Sequence, residues 1–146
     1  MQIPPRASYT DTFEHAFDIK GRVTVPSDWR SETFEPHLHA FPSKEKCVKI
    51  YPASYLGRLQ EQLSGLKMDD PQRKRVELLA SLAQNASWDQ QGRIMIKEKL
   101  RSMAGIKKNA VLVGRLDHFE IWAREEWDAL PALDTTLEDA AALLGL

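Results

Sequence analysis

Two short strings in this chain set an acid, a glycine and an arginine at the same spacing: Asp18-Ile19-Lys20-Gly21-Arg22 and Asp89-Gln90-Gln91-Gly92-Arg93. In a tight corner an aspartate can hold the turn through its side chain while glycine takes a positive φ. The arginine then opens the outgoing strand at the exposed rim of a sheet. A guanidinium there can read guanine bidentately or neutralise a phosphate, and Lys20 adds a second cation to the first corner. The plain alternative is a well-made turn whose arginine is solvated or pairs with its own aspartate. A duplicated turn needs aspartate and glycine twice. It needs arginine twice only if arginine does something.

Other chemistries find less support. The histidines are His15, His37, His39 and His118. His37 and His39 alternate as metal ligands on one strand would, but no Cys or carboxylate follows at ligand spacing. Cys47 has no recognisable nucleophile setting and reads as a small buried thiol. No phosphate-cradling glycine loop and no Gly-x-Ser-x-Gly string occurs. The residues therefore point to no catalytic centre, no metal, no cofactor and no small-molecule substrate.

The elements that must position the corners repeat with them. A shift of 71 residues, without a gap, lays residues 18–25 over 89–96, Arg30-Ser31 over Arg101-Ser102, and Val48-Lys49-Ile50-Tyr51 over Phe119-Glu120-Ile121-Trp122. Only seven of 42 positions from 18 to 59 are identical, but five of them fall between 18 and 31, around the corner. Each copy reads as an extended stretch (10–17; 86–88), the corner, a strand (22–25; 93–96) and a short helix (27–31; 98–104). Two more strands follow (37–41 and 47–51; 110–114 and 118–122). Gly105 suits a left-handed helix cap. After the first copy, Leu56, Leu59 and Leu63 recur at helical spacing up to Gly65. Asp70-Pro71 then looks like an N-cap and first position for a helix striped by Val76, Leu79, Leu82 and Ala83. After the second copy a helix over 124–130 stops at Pro131, and Thr135-Thr136-Leu137-Glu138 offers a capping box for a last helix carrying Leu137, Ala141 and Leu144. Trp29, Trp88, Trp122 and Trp127 fit core or interface positions.

Composition bounds the class. With 42% hydrophobic and 28% charged residues, the 146-residue chain has an ordinary globular balance. No apolar run approaches the roughly 18 residues of a membrane span, and the N-terminus lacks the apolar core of a signal peptide. A lone cysteine suits a reducing compartment. The formal charge of −1 hides an asymmetry: residues 1–115 carry 19 Lys and Arg against 13 Asp and Glu, while 116–146 carry one against eight. A basic body with an acidic end can still present a positive face.

Both corners lie in strings that resemble the MraZ regulators of bacterial division and cell-wall gene clusters, built on the AbrB-type swapped-hairpin fold. The first string is Phe13-Glu14-His15-Ala16-Phe17-Asp18-Ile19-Lys20-Gly21-Arg22-Val23-Thr24-Val25-Pro26. The second is Asp89-Gln90-Gln91-Gly92-Arg93-Ile94, followed by Gly114-Arg115-Leu116-Asp117-His118-Phe119-Glu120-Ile121-Trp122. The match runs from about 9 to 130. It departs from the family pattern at Asp11, which replaces a usual glycine, at Ser43-Lys44-Glu45-Lys46, which replaces a glycine-containing turn, and at Lys97, where proline is common.

The resemblance implies double-stranded DNA as ligand, short direct repeats near a promoter, and a ring-like homo-oligomer. It maps the DNA-contacting arginine onto Arg22, with Lys20 beside it. The expectations are thus an α+β chain of two small β-rich repeats (9–64 and 86–130), a connecting helix (65–85) and an acidic tail (131–146). Lys20, Arg22 and Arg93 are the DNA-binding candidates, and Asp18, Gly21, Asp89 and Gly92 support the turns. A cytoplasmic, nucleoid-associated transcriptional regulator follows. The rival is a protein-interaction or antitoxin-like module of the same fold without its own DNA specificity.

Overall fold

The computed structural model describes residues 7–131 and 134–146. The chain forms β1 (Thr12–Ala16), β2 (Arg22–Thr24), a 3-10 turn (Ser27–Trp29), β3 (Leu38–Pro42), β4 (Cys47–Pro52), α1 (Ala53–Leu63) and α2 (Pro71–Leu82). It continues through β5 (Gln84–Asn85), β6 (Arg93–Met95), α3 (Glu98–Met103), β7 (Asn109–Gly114), β8 (Phe119–Ala123), α4 (Arg124–Asp128) and α5 (Asp134–Leu143). Helices and antiparallel sheet are both present, as the α+β reading expects.

Neither half completes a sheet alone. Six strands run in the order β1-β7-β8-β4-β3-β5, and β2 and β6 pair as a separate two-stranded ribbon. The first strand of each half pairs with a strand of the other: β1 with β7, and β5 with β3. Exchanging equivalent elements of the halves reverses the strand order onto itself. At the centre of this arrangement Val23 pairs with Ile94 and Lys49 with Glu120, residues that occupy equivalent positions 71 apart. The second extended stretch forms strand two residues earlier than expected, at Gln84–Asn85. The expected residues still add to the ladder, through Ala86 N–H to Leu38 O (2.9 Å) and Trp88 N–H to Pro36 O (3.2 Å).

The ungapped register needs one correction. It holds at the corners and between β4 and β8, but β3 and β7 correspond at 72 residues. Ala40 faces Ile50 as Leu112 faces Ile121. The closing pairs Pro42–Val48 and Gly114–Phe119 absorb the slip in turns of different length. The pleat dictates this, because a one-residue shift would turn each inward side chain of the strand outward. Leucine and alanine exchange places accordingly: Leu38, Ala40, Ala110 and Leu112 all lie in the core.

Two departures from the family pattern acquire physical reasons. Asp11 takes φ +75°, a conformation natural to glycine and tolerated by aspartate. Its carboxylate accepts from Thr12 N–H at 2.7 Å, and its carbonyl accepts from Gly114 N–H at 2.9 Å. Lys97 has φ −61° and ψ 147°, close to the −53° and 142° of Pro26 at the twin position. Its backbone N–H, which proline would lack, donates to Gln84 Oε1 at 2.9 Å. Gln84 is buried and also donates to Met95 O at 2.7 Å.

The main core lies between the ribbon and one face of the sheet. Trp29 packs against Tyr9, Phe13 and Phe119 with ring centroids 4.8 to 5.6 Å apart, and its indole N–H donates to Thr10 O at 2.9 Å. Trp88 is half-buried against the same core, while Trp122 joins Cys47, Val111, Val113 and Trp127 on the sheet's other face. Glu120 is buried on that second face. Burial raises its carboxyl, but His118, the Trp122 indole and Arg115 more than reverse this and bring it down to about 2. Lys49 Nζ lies 3.6 Å from its Oε2.

Helix ends follow the sequence at Asp70, whose side chain accepts from Gln72 N–H with Pro71 at the first turn, and at Gly105 with φ +71°. Gly65 does not stop α1. The helix ends at Leu63, where Ser64 N–H and Oγ–H both donate to Glu61 O, satisfying a terminal carbonyl without a left-handed residue. The short helix after the first corner shrinks to the 3-10 turn, and α4 stops at Asp128. α5 already includes Thr135, and the expected capping contact there lies outside the described side chains. Leu137 of α5 is exposed, Leu144 is exposed just past the helix end, and Leu78, Leu79 and Leu82 of α2 are exposed too.

Candidate nucleic-acid interface

The two corners have nearly the same construction. In the first, Asp18 Oδ1 accepts from the backbone N–H of Lys20 (3.0 Å) and of Arg22 (2.8 Å). Gly21 N–H donates to Asp18 O (3.0 Å), and Asp18 N–H to Arg22 O (2.9 Å). In the second, Asp89 Oδ1 accepts from Gln91 and Arg93 N–H at 2.9 Å each. The same two backbone bonds close it, Gly92 to Asp89 and Asp89 to Arg93, both 2.9 Å. Gly21 and Gly92 have φ +79° and +75°. The Arg22 and Arg93 backbone N–H groups respectively hold the Asp18 and Asp89 carboxyls below the usual aspartate range. Both carboxylates are therefore ionised at neutral pH.

Each arginine bonds its own aspartate, the arrangement the plain reading foresaw. Arg22 Nε lies 2.7 Å from Asp18 Oδ2, and Arg93 Nε 3.2 Å from Asp89 Oδ2. Both arginines are half-buried rather than freely solvated. In each case the bond engages Nε, while the Nη groups make no hydrogen bond among the described residues. The aspartate orients the guanidinium and leaves its forked end for another acceptor. Lys20 and Gln91 stand exposed at the two turn tips.

The ribbon carries both arginines outward. Val23 and Ile94 point into the core, with relative exposures of 1% and 0%. By alternation, Arg22 and Thr24 of β2, and Arg93 and Met95 of β6, face solvent. Backbone bonds extend the pairing to the corner glycines: Ile96 N–H to Gly21 O and Val25 N–H to Gly92 O, at 2.9 and 2.8 Å. The four steps from Gly21 to Val25 set the corners roughly 13 Å apart at about 3.3 Å per residue.

Two arginines that carried no expected role complete the arrangement. Arg30 Nε donates to Val25 O and Arg101 Nε to Ile96 O, both at 2.8 Å. Each guanidinium thereby lies over the glycine of the opposite corner. A Cβ on Gly92 would stand 2.5 Å from Arg30 Cζ, and one on Gly21 would stand 2.9 Å from Arg101 Nη2. The repeat register had already aligned Arg30 with Arg101. What sequence spacing did not reveal is that each serves the other half.

The remaining candidates stay apart from this surface. Cys47 is buried, and burial with the nearby Glu120 carboxylate pushes its thiol up to about 12. His37 meets Ser87 at 3.2 Å, and His118 meets Asp117 at 2.7 Å. Among the described residues, no group of three His, Cys, Asp or Glu side chains is placed to hold a metal ion. No described helix is long and apolar enough to cross a membrane.

Residues 79–142 match the family model described as "MraZ protein, putative antitoxin-like". Curated relatives extend the likeness over most of the chain. A transcriptional regulator MraZ of Finegoldia magna is 33% identical over 121 residues, covering 82% of this chain and 84% of its own. Its counterpart from Lachnoclostridium phytofermentans is 34% identical over 117 residues, covering 80% and 82%. That of Lactiplantibacillus plantarum is 37% identical over 116 residues, covering 79% and 82%.

Proposed function

The chain belongs to the MraZ family, whose curated members are transcriptional regulators and not enzymes, and we propose that it regulates transcription by binding double-stranded DNA through the β2–β6 ribbon. The observation that carries this reading is the solvent-facing ribbon with an aspartate-oriented arginine at each end. The major groove is about 12 Å wide and admits a two-stranded ribbon, and the corners lie a similar distance apart. Arg22 is the principal contact, with its forked Nη end offered to guanine O6 and N7 or to phosphate. Lys20 supplies a further phosphate contact, and Arg93 is the second, weaker site. Asp18, Gly21, Asp89 and Gly92 hold these cations in place.

A single ribbon makes few contacts, so useful affinity comes from several copies acting on one DNA. We propose a ring-like homo-oligomer on short direct repeats near a promoter, in a division and cell-wall gene cluster, within a cytoplasmic, nucleoid-associated protein. The two halves are read as tandem AbrB-like units with exchanged strands. The exposed leucines of α2 supply apolar surface for subunit contact.

A mobility shift with duplex DNA from upstream of the protein's own gene tests the reading. Affinity should fall linearly with the logarithm of salt concentration, and light scattering should report several chains per particle. Absence of DNA binding, together with tight capture of a protein partner, would transfer the function to the interaction-module reading.

A further inference from the structure

Ile19 stands at the tip of the first corner with 102% relative exposure. A lone exposed aliphatic is common on protein surfaces, so exposure by itself decides nothing. The surroundings do. The turn is closed by Asp18, Gly21 and backbone bonds, none of which involves the Ile19 side chain. The second corner adopts the same hydrogen-bonded turn with Gln90 at this position. Isoleucine is therefore not required to make the corner, and it buries nothing within the chain. Lys20 adjoins it and Arg22 lies three residues on, so a fully exposed apolar side chain shares this corner with two cations.

We infer that Ile19 is a specificity-determining residue that packs against the C5-methyl of a thymine in the major groove while Arg22 engages a neighbouring base or phosphate. The inference rests on the DNA-binding reading above and deepens it. The thymine methyl is the one apolar group that the groove edge presents, and burying it against an aliphatic removes two apolar surfaces from water. Gln90, with an amide at the twin tip, offers hydrogen bonds instead. The two corners of one ribbon thus favour different base edges.

The test uses the full-length protein and duplex DNA from upstream of its own gene, with each thymine of the protected tract replaced in turn by deoxyuridine. That replacement removes only the methyl group. At one position or more, wild-type affinity should fall roughly three- to five-fold per site, and the same replacement should have no effect on Ile19→Ala or Ile19→Gln. Ile19→Gln places the twin residue on a backbone that already accommodates it, so its melting temperature should match wild type. No weakening at any thymine, or weakening undiminished in both variants, overturns the inference while leaving the ribbon's DNA binding in place. A drop in particle mass in Ile19→Ala without any change in the deoxyuridine response assigns the residue to subunit contact and overturns it equally. Failure of the wild-type protein to bind the unmodified duplex removes both this inference and the reading beneath it.

Discussion

The two corners differ least in their backbones and most in what surrounds them. Both use an aspartate oxygen to bind two amides and a positive-φ glycine, and both aim an arginine outward. Yet the first corner carries Ile19 and Lys20 where the second carries Gln90 and Gln91, and its Arg–Asp contact is 2.7 Å rather than 3.2 Å. The same divergence recurs where the halves meet. Lys49 and Glu120 occupy equivalent positions, and they face each other across β4 and β8. Identical residues there would set like charges opposite one another, which destabilises a sheet; opposite charges attract. Repetition preserved the Asp, Gly and Arg of each corner and the backbone geometry that folding needs, while side chains differ at the turn tips and where equivalent positions face each other across the halves.

The largest expected effect tests whether the corners are equally tight. Gly92→Ala forces a left-handed alanine and displaces Arg30, which loses its bond to Val25 O, so stability should fall by about 2–4 kcal/mol. Gly21→Ala carries the same backbone strain against a more distant Arg101 tip and should cost about 1–3 kcal/mol. Denaturant titration of the two variants orders them, and a larger loss at Gly21 would reverse the comparison. DNA affinity comes next. Arg22→Ala should weaken specific binding by about 1–3 kcal/mol per site if the residue reads a base. Arg93→Ala should weaken it less, and equal losses would show the corners to be functionally equivalent.

The third test sets two rules against each other at Lys97. Its φ suits proline, and a compatible proline ordinarily stabilises by about 0.4–1 kcal/mol. Lys97→Pro removes the donor to buried Gln84, however, and an unsatisfied buried acceptor costs about 1–3 kcal/mol. We expect a net loss in thermal melting; a gain would mean that the Gln84 bond contributes little. The smallest effect concerns charge alone. Lys20→Gln should shallow the slope of log affinity against log salt by about one unit, and Gln91→Lys should steepen it by a similar amount. Parallel salt titrations measure both, and unchanged slopes would take the turn tips off the phosphate backbone.

Much of this arrangement was legible in the chain. Asp-x-x-Gly-Arg specifies its corner locally, since an aspartate cap and a positive-φ glycine act within five residues. The Asp70-Pro71 start and the Gly105 stop are equally local. The α1 stop at Gly65 failed because Ser64 supplied a competing hydrogen-bond solution that required no glycine. The register slip between β3 and β7 is not visible in the sequence because those strands share no identical residue in register, and only the pleat records which face each side chain takes.

Local chemistry thus settled the turns, the outward arginines and the alternation of the strands, because each depends on residues a few positions apart. Which half supplies each partner was settled by packing. Arg30 reaches Gly92, Arg101 reaches Gly21, and β1 and β5 pair across the halves, because a 71-residue repeat makes within-half and between-half contacts look alike in sequence. Only the folded chain, in which neither set of strands closes a sheet by itself, distinguishes them.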